Sequence, residues 1–175
     1  MKKRKGQVWV ETVIYTLIAF IMIGLVLSFV KPKIEEMQDK VIIDQSIKML
    51  KEIDDTIFSI RGASGNQRVI DITLEKGIIN VDGVNDKIFF ELTTRNEYSE
   101  PGVDINYDNL IINTQEVGNL NIVNIKRDYS GNYNITYNER DETKVITKSS
   151  RPHKIVISNK GRDSNNKIII DMEVG

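Results

Sequence analysis

The chain has 175 residues and a formal net charge of −1, enough for one folded domain of ordinary size beyond a membrane segment and not for two. It has no cysteine, which excludes disulfides and thiolate metal sites. Four of its cations, Lys2, Lys3, Arg4 and Lys5, sit at the amino terminus; without them the formal charge falls to −5, a balance that predicts no nucleic-acid partner.

After this basic cluster come Gly6-Gln7-Val8-Trp9-Val10-Glu11 and then an uncharged run from Thr12 to Val30. Those 19 residues make a helix of roughly 28 Å, close to the hydrocarbon thickness of a bilayer, so the segment is long and apolar enough to cross a membrane. Cations ahead of an apolar run stay on the cytoplasmic side, which predicts an N-in, C-out orientation. The run ends in Ser28-Phe29-Val30-Lys31-Pro32 with no small-residue cleavage pattern, so removal of the whole apolar segment is not expected.

Glu11 lies at the mouth of this run. A carboxylate isolated in lipid costs roughly 2.5 to 3.5 kcal/mol at a helix centre and less near the interface. It is therefore either a marker of the membrane boundary or a group with a partner.

Together, Lys5-Gly6-Gln7, the spacing to Glu11 and the apolar stretch resemble the class III signal peptide of archaeal type IV pilins. The resemblance covers the leader and the helix, not the rest of the chain. It implies that a prepilin peptidase cuts between Gly6 and Gln7, that residues 1–6 are a cytoplasmic leader, and that Glu11 becomes the fifth residue of the mature protein, where such proteins carry a glutamate used in assembly. Residues 7–31 are then both membrane anchor and polymer core, and the partners are like subunits in a homopolymer.

Pro32 removes one backbone donor and crowds the preceding turn, which predicts a kink or short break. Residues 32–61 read as an amphipathic extension: Ile34, Met37, Val41, Ile43, Ile47, Leu50, Ile57 and Ile60 recur at three- and four-residue steps, and the charges between them, which include Asp39, Asp44, Lys51 and Asp54, are expected on an outer face. Gly62, Ser64, Gly65 and Asn66 close the helix. The stripe has two outlets, a sheet of its own domain or neighbouring copies; Ile43 to Ile60 is close enough in sequence to cover a sheet, and the apolar run before Lys31 is not.

From residue 67 to 175 the pattern is that of strands. Val69–Leu74 and Ile78–Val81 flank Glu75-Lys76-Gly77 and predict a hairpin, as do Asp104–Tyr107 and Leu110–Asn113 around Asp108-Asn109. Lys87–Thr94, Leu120–Lys126, Tyr133–Asn138, Lys144–Lys148, Lys154–Ser158 and Lys167–Val174 bring the total to about eight to ten strands. The expected class is α+β, a long helix followed by an antiparallel, sandwich-like β domain on the extracellular side.

The chemistry of an enzyme is missing. The single histidine, His153, follows Pro152 with no second ligand near it in sequence, no serine sits in a nucleophile elbow, and no glycine-rich phosphate loop is present. Asp82-Gly83-Val84-Asn85-Asp86 offers oxygens to a cation but lacks the spacing of a calcium loop and reads as a turn. Asn134-Ile135-Thr136 is an N-glycosylation acceptor triplet. Tyr129, Tyr133 and Tyr137 read as cross-strand neighbours. The sequence thus predicts a pilus-like structural subunit with no cofactor and no metal. A monomeric, signal-anchored surface binding or adhesion module and a minor pilin-like component of a secretion machine are its alternatives.

Overall fold

A computed structural model describes the backbone from Arg4 and the side chains from Val8 to Gly175. One helix, α1 (Arg4–Ile60), is followed by ten strands: β1 (Gln67–Ile72), β2 (Ile78–Asp82), β3 (Lys87–Thr94), β4 (Asp104–Tyr107), β5 (Leu110–Val117), β6 (Leu120–Asp128), β7 (Tyr133–Tyr137), β8 (Thr143–Thr147), β9 (His153–Arg162) and β10 (Ile168–Val174). The α+β class is as expected. The chain forms two compact units that meet within α1, residues up to Gln38 and residues from Asp39 onward. The second half of the helix therefore belongs to the β domain.

No break occurs at Pro32, which lies inside the continuous helix. A proline costs the helix the single bond to the carbonyl four residues earlier, here that of Ser28, while the turns on either side keep theirs. The helix stops at Ile60, whose carbonyl accepts a buried hydrogen bond from Asn159 Nδ2 at 3.0 Å, and Gly65 follows in the left-handed region at φ +85°.

The strands form a six-stranded sheet ordered β4-β5-β6-β3-β2-β8 and a four-stranded sheet ordered β1-β9-β10-β7. Between them runs one hydrophobic core to which all three layers contribute: Ile43, Leu50, Ile53 and Ile57 from α1, Ile79, Phe90 and Ile125 from the larger sheet, Ile155, Ile157 and Ile170 from the smaller. The helix stripe from Ile43 to Ile60 thus takes the first of its two outlets, while Ile34, Met37 and Val41 remain exposed.

Two further expectations need correction. The first predicted hairpin does not form: β1 pairs with β9 through six residues, Gln67↔Ser158 to Ile72↔His153, whereas β2 pairs with β3 and β8. Alternating burial at Ile70, Ile72 and Leu74 reports which face of β1 is covered, but both sheets offer such a face. The segment after Ile72 therefore carries the chain from one sheet to the other. The sheets are mostly antiparallel, as expected, with β7 parallel to β10 from Ile168↔Tyr133 to Met172↔Tyr137. The second correction concerns Asp39, expected on the charged outer face of α1 but buried. The Asp108-Asn109 hairpin does form, with Tyr107 opposite Leu110 and Asp108 at φ +53°.

Gly77 ends the crossing at φ +84°, and a Cβ built there would lie 2.5 Å from the Phe90 ring and 2.7 Å from the Glu91 carbonyl oxygen. Gly77→Ala is expected to lower stability by about 2 kcal/mol, from backbone strain and overpacking together. Gly118→Ala, at φ +63° with open space around it, carries the strain alone and is expected to cost about 1 kcal/mol. Urea unfolding midpoints of the two variants measure the difference.

Candidate functional site

The feature of this molecule that its own fold leaves unused is the first half of α1. An 18-residue window there has a mean hydropathy of 2.7 and is 0% buried. Trp9, Tyr15, Phe20 and Phe29 are each about two-thirds or more exposed. Soluble monomers rarely expose apolar patches beyond a few hundred Å², so a surface of this size belongs against lipid or against another protein.

The polar groups of the segment are consistent with either setting. Thr12 Oγ1 donates to the Val8 carbonyl at 2.9 Å, Thr16 Oγ1 to Thr12 at 2.8 Å and Ser28 Oγ to Leu25 at 2.7 Å, so each hydroxyl is satisfied within the helix itself. Around Gly24 nothing lies within 4 Å of where a Cβ would stand. Together with Ala19 it provides positions at which another helix backbone can approach closely. Beyond the apolar run Lys33 pairs with Glu36 at 2.8 Å, which marks the return to water.

Glu11 is the one charge between Val8 and Val30, it is exposed, and it has no partner among the described residues. Gly6 and Gln7, where the peptidase cut is expected, lie outside the residues described beyond their backbone.

The β domain accounts for the other residues singled out by sequence. Asp82 accepts bonds from the backbone of Val84 (3.1 Å) and Asn85 (3.2 Å) and from Asn85 Nδ2 (2.7 Å), so the acidic segment is a turn that closes on itself. His153 Nε2 lies 2.8 Å from the Thr147 carbonyl, which can only accept, so that nitrogen carries the proton. Tyr129 and Tyr133 meet edge to face with centroids 5.9 Å apart, and burial pushes the Tyr129 phenol well above its ordinary range. Among the described residues no three His, Asp or Glu side chains are grouped to hold a metal.

Asn134 is half-buried on β7, an edge strand of the smaller sheet, while Thr136 of the same triplet is buried and donates to Asp171 Oδ1 at 2.6 Å. The same oxygen accepts the Glu139 amide at 2.6 Å, holding a turn whose residues Asn138 and Glu139 both have positive φ. The hydroxyl a glycosylating enzyme must read is thus committed to the fold.

Two acidic residues of α1 tie it to the larger sheet, and sequence reasoning had placed both on the outer face. Asp39, 5% exposed, accepts bonds from Lys76 Nζ, Thr94 Oγ1 and, at 3.1 Å, Asn96 Nδ2. Burial alone would raise its carboxyl pKa; the hydrogen bonds from Lys76, Thr94 and Asn96 outweigh this and hold it below the ordinary value. Asp54 accepts Arg127 Nε at 2.9 Å and Asn109 Nδ2 at 3.2 Å. The signal for Asp39 was available: it precedes Ile43 by four residues and so shares the buried stripe.

Compared with protein-family models, with curated proteins and with solved structures, the chain matches none.

Proposed function

We propose that this chain is the structural subunit of an extracellular type IV pilus-like filament, held in the membrane by the first half of α1 and assembled through that same segment. The observation that carries the reading is the wholly exposed apolar stretch joined in one helix to a stripe, Ile43 to Ile60, that the β domain covers. One half of the helix fastens the domain; the other half is left for lipid first and for like helices afterwards. Lipid is as apolar as the helix, so transfer into a bundle gains little from hydrophobicity and must be directed by close packing and by charge pairing. Glu11 supplies the charge. The basic cluster at Lys2 to Lys5 keeps the amino end in the cytoplasm, where a prepilin peptidase removes residues 1–6.

Mass spectrometry of the amino terminus tests this in cells that contain an active prepilin peptidase. The mature chain is expected to begin at Gln7, and Gly6→Leu is expected to leave the uncut form in the membrane. Intact Met1 to Gly6 in otherwise normal cells would instead favour a monomeric, signal-anchored binding module. Subunit stoichiometry in isolated filaments separates a major subunit from a minor component.

A further inference from the structure

The end of the β domain at which α1 terminates holds a polar cavity of about 670 Å³, within the size range of small-ligand sites. Three segments far apart in sequence meet there: Arg61-Gly62 just past the helix, the turn between β6 and β7, and the β9–β10 hairpin.

Its lining includes Arg61, Arg162 and Lys167 and not one acidic residue. The Lys167 charge is answered by Asp86 at 3.1 Å. Among the described residues no carboxylate pairs with either guanidinium. Arg61 lies over the Phe58 ring, 3.5 Å from its centroid, and Arg162 donates to the neutral Asn166 carbonyl at 2.6 Å. Asp163, the nearest carboxylate of the hairpin, accepts the backbone amides of Asn165 (2.8 Å) and Lys167 (2.9 Å). Both arginines are therefore anchored by neutral groups and retain donors for an anion, and a guanidinium is the side chain best matched to a carboxylate.

The rest of the lining narrows the ligand class. Asn132 and Asn165 bring amides, each able to donate and to accept, which is what a sugar hydroxyl requires. Tyr133, half-buried and in edge-to-face contact with Tyr129, brings to the lining an aromatic ring of the kind on which apolar C–H groups of a sugar pack. A bare phosphate would use the arginines and leave the amides and the ring idle. A nucleic-acid backbone would need a stripe of cations on a chain whose net charge beyond Lys5 is −5.

We infer that this cavity binds an acidic carbohydrate, with Arg61 and Arg162 receiving the carboxylate and the asparagines and Tyr133 receiving the ring. This holds whether or not the chain polymerises, since no residue of the first half of α1 takes part.

The test is isothermal titration of the full chain in detergent micelles with trigalacturonate, with maltotriose as a neutral trisaccharide of equal length and with inorganic phosphate. Trigalacturonate is expected to bind at least tenfold more tightly than either. Arg61→Gln is expected to weaken it about tenfold with little change in the urea midpoint, because Arg61 is exposed and its side chain makes no hydrogen bond or ion pair among the described residues. Arg162→Lys, which keeps a cation and a donor for the hairpin, is expected to weaken it less. Equal affinity for maltotriose, equal affinity for phosphate, no binding of the uronate at millimolar concentration, or affinity unchanged in Arg61→Gln would each overturn the inference.

Discussion

Glu11→Ala is expected to leave leader processing, membrane insertion and the β domain unchanged and to reduce filament number by two orders of magnitude or more. If the chain is cut between Gly6 and Gln7 as proposed, the amino group at Gln7 would be a cation one helical turn before Glu11, and the carboxylate would also suit the positive end of the helix dipole. On the same proposal, Glu11 would sit near the interface at modest cost while the subunit is in the membrane. In the proposed bundle of like helices it would be enclosed by apolar side chains, and a neighbour's amino terminus would be the cation to meet it. Removing one member of a buried pair costs about 3 to 5 kcal/mol because the other charge is left behind, and each 1.4 kcal/mol is about a factor of ten in the assembly constant. The loss falls on register, since alanine creates no clash. Electron microscopy of surface filaments alongside mass spectrometry of the processed amino terminus separates assembly from processing. Filaments of Glu11→Ala in normal number and spacing would mean that Glu11 only marks the membrane boundary.

Asp39→Asn is expected to lower the stability of the β domain by about 3 kcal/mol at neutral pH, between the loss of hydrogen bonds to a charged group and the loss of a buried ion pair. An amide keeps the volume and removes the charge that Lys76, Thr94 and Asn96 jointly satisfy. Lys76 is 46% exposed and can turn to water, which keeps the cost at the lower end of the range for buried pairs. The pH dependence follows from the depressed carboxyl. Its folded pKa lies below the ordinary value of 3.8, so the unfolded chain takes up the proton first as pH falls. The contribution is complete above that value and disappears as pH drops through the folded pKa. Asp82 and Asp128 are shifted in the same direction, Asp82 by bonds from Asn85 and Thr143 against an opposing burial effect, Asp128 chiefly by the Ser130 hydroxyl. The wild-type domain is therefore expected to lose stability in acid below about pH 4, and the gap between wild type and Asp39→Asn to narrow there. Urea midpoints in micelles at pH 7 and pH 3 check both; an unchanged gap would mean that the charge of Asp39 does not contribute.

Partner choice is where sequence reasoning and the structure part company. Val69 to Leu74 and Ile78 to Val81 both form strands, β1 and β2, yet in different sheets, because a period of two identifies a covered face without identifying the neighbour. The parallel pairing of β7 with β10 could not be read for the same reason: Tyr133 and Ile168 are joined only through the intervening chain, and nothing local distinguishes a parallel from an antiparallel neighbour. At Asp108-Asn109 the two strands are separated by two turn residues, closure is local, and the hairpin was legible. The cavity beside Arg61 was illegible because its lining comes from three segments, each of which reads alone as an ordinary polar turn.

What the sequence determined by itself is everything set by neighbours along the chain. The apolar run before Lys31, its exposed carboxylate at Glu11, the helical stripe from Ile43 to Ile60 and the alternation of the strands follow from periodicity and hydropathy, which act within a few residues. Only the tertiary structure decided which sheet each strand joined, that Asp39 lies inside under Lys76, Thr94 and Asn96, and that two arginines about a hundred residues apart face one cavity. Those outcomes depend on which distant surfaces fit together, and the loop entropy and packing that decide between them belong to the whole chain rather than to any stretch of it.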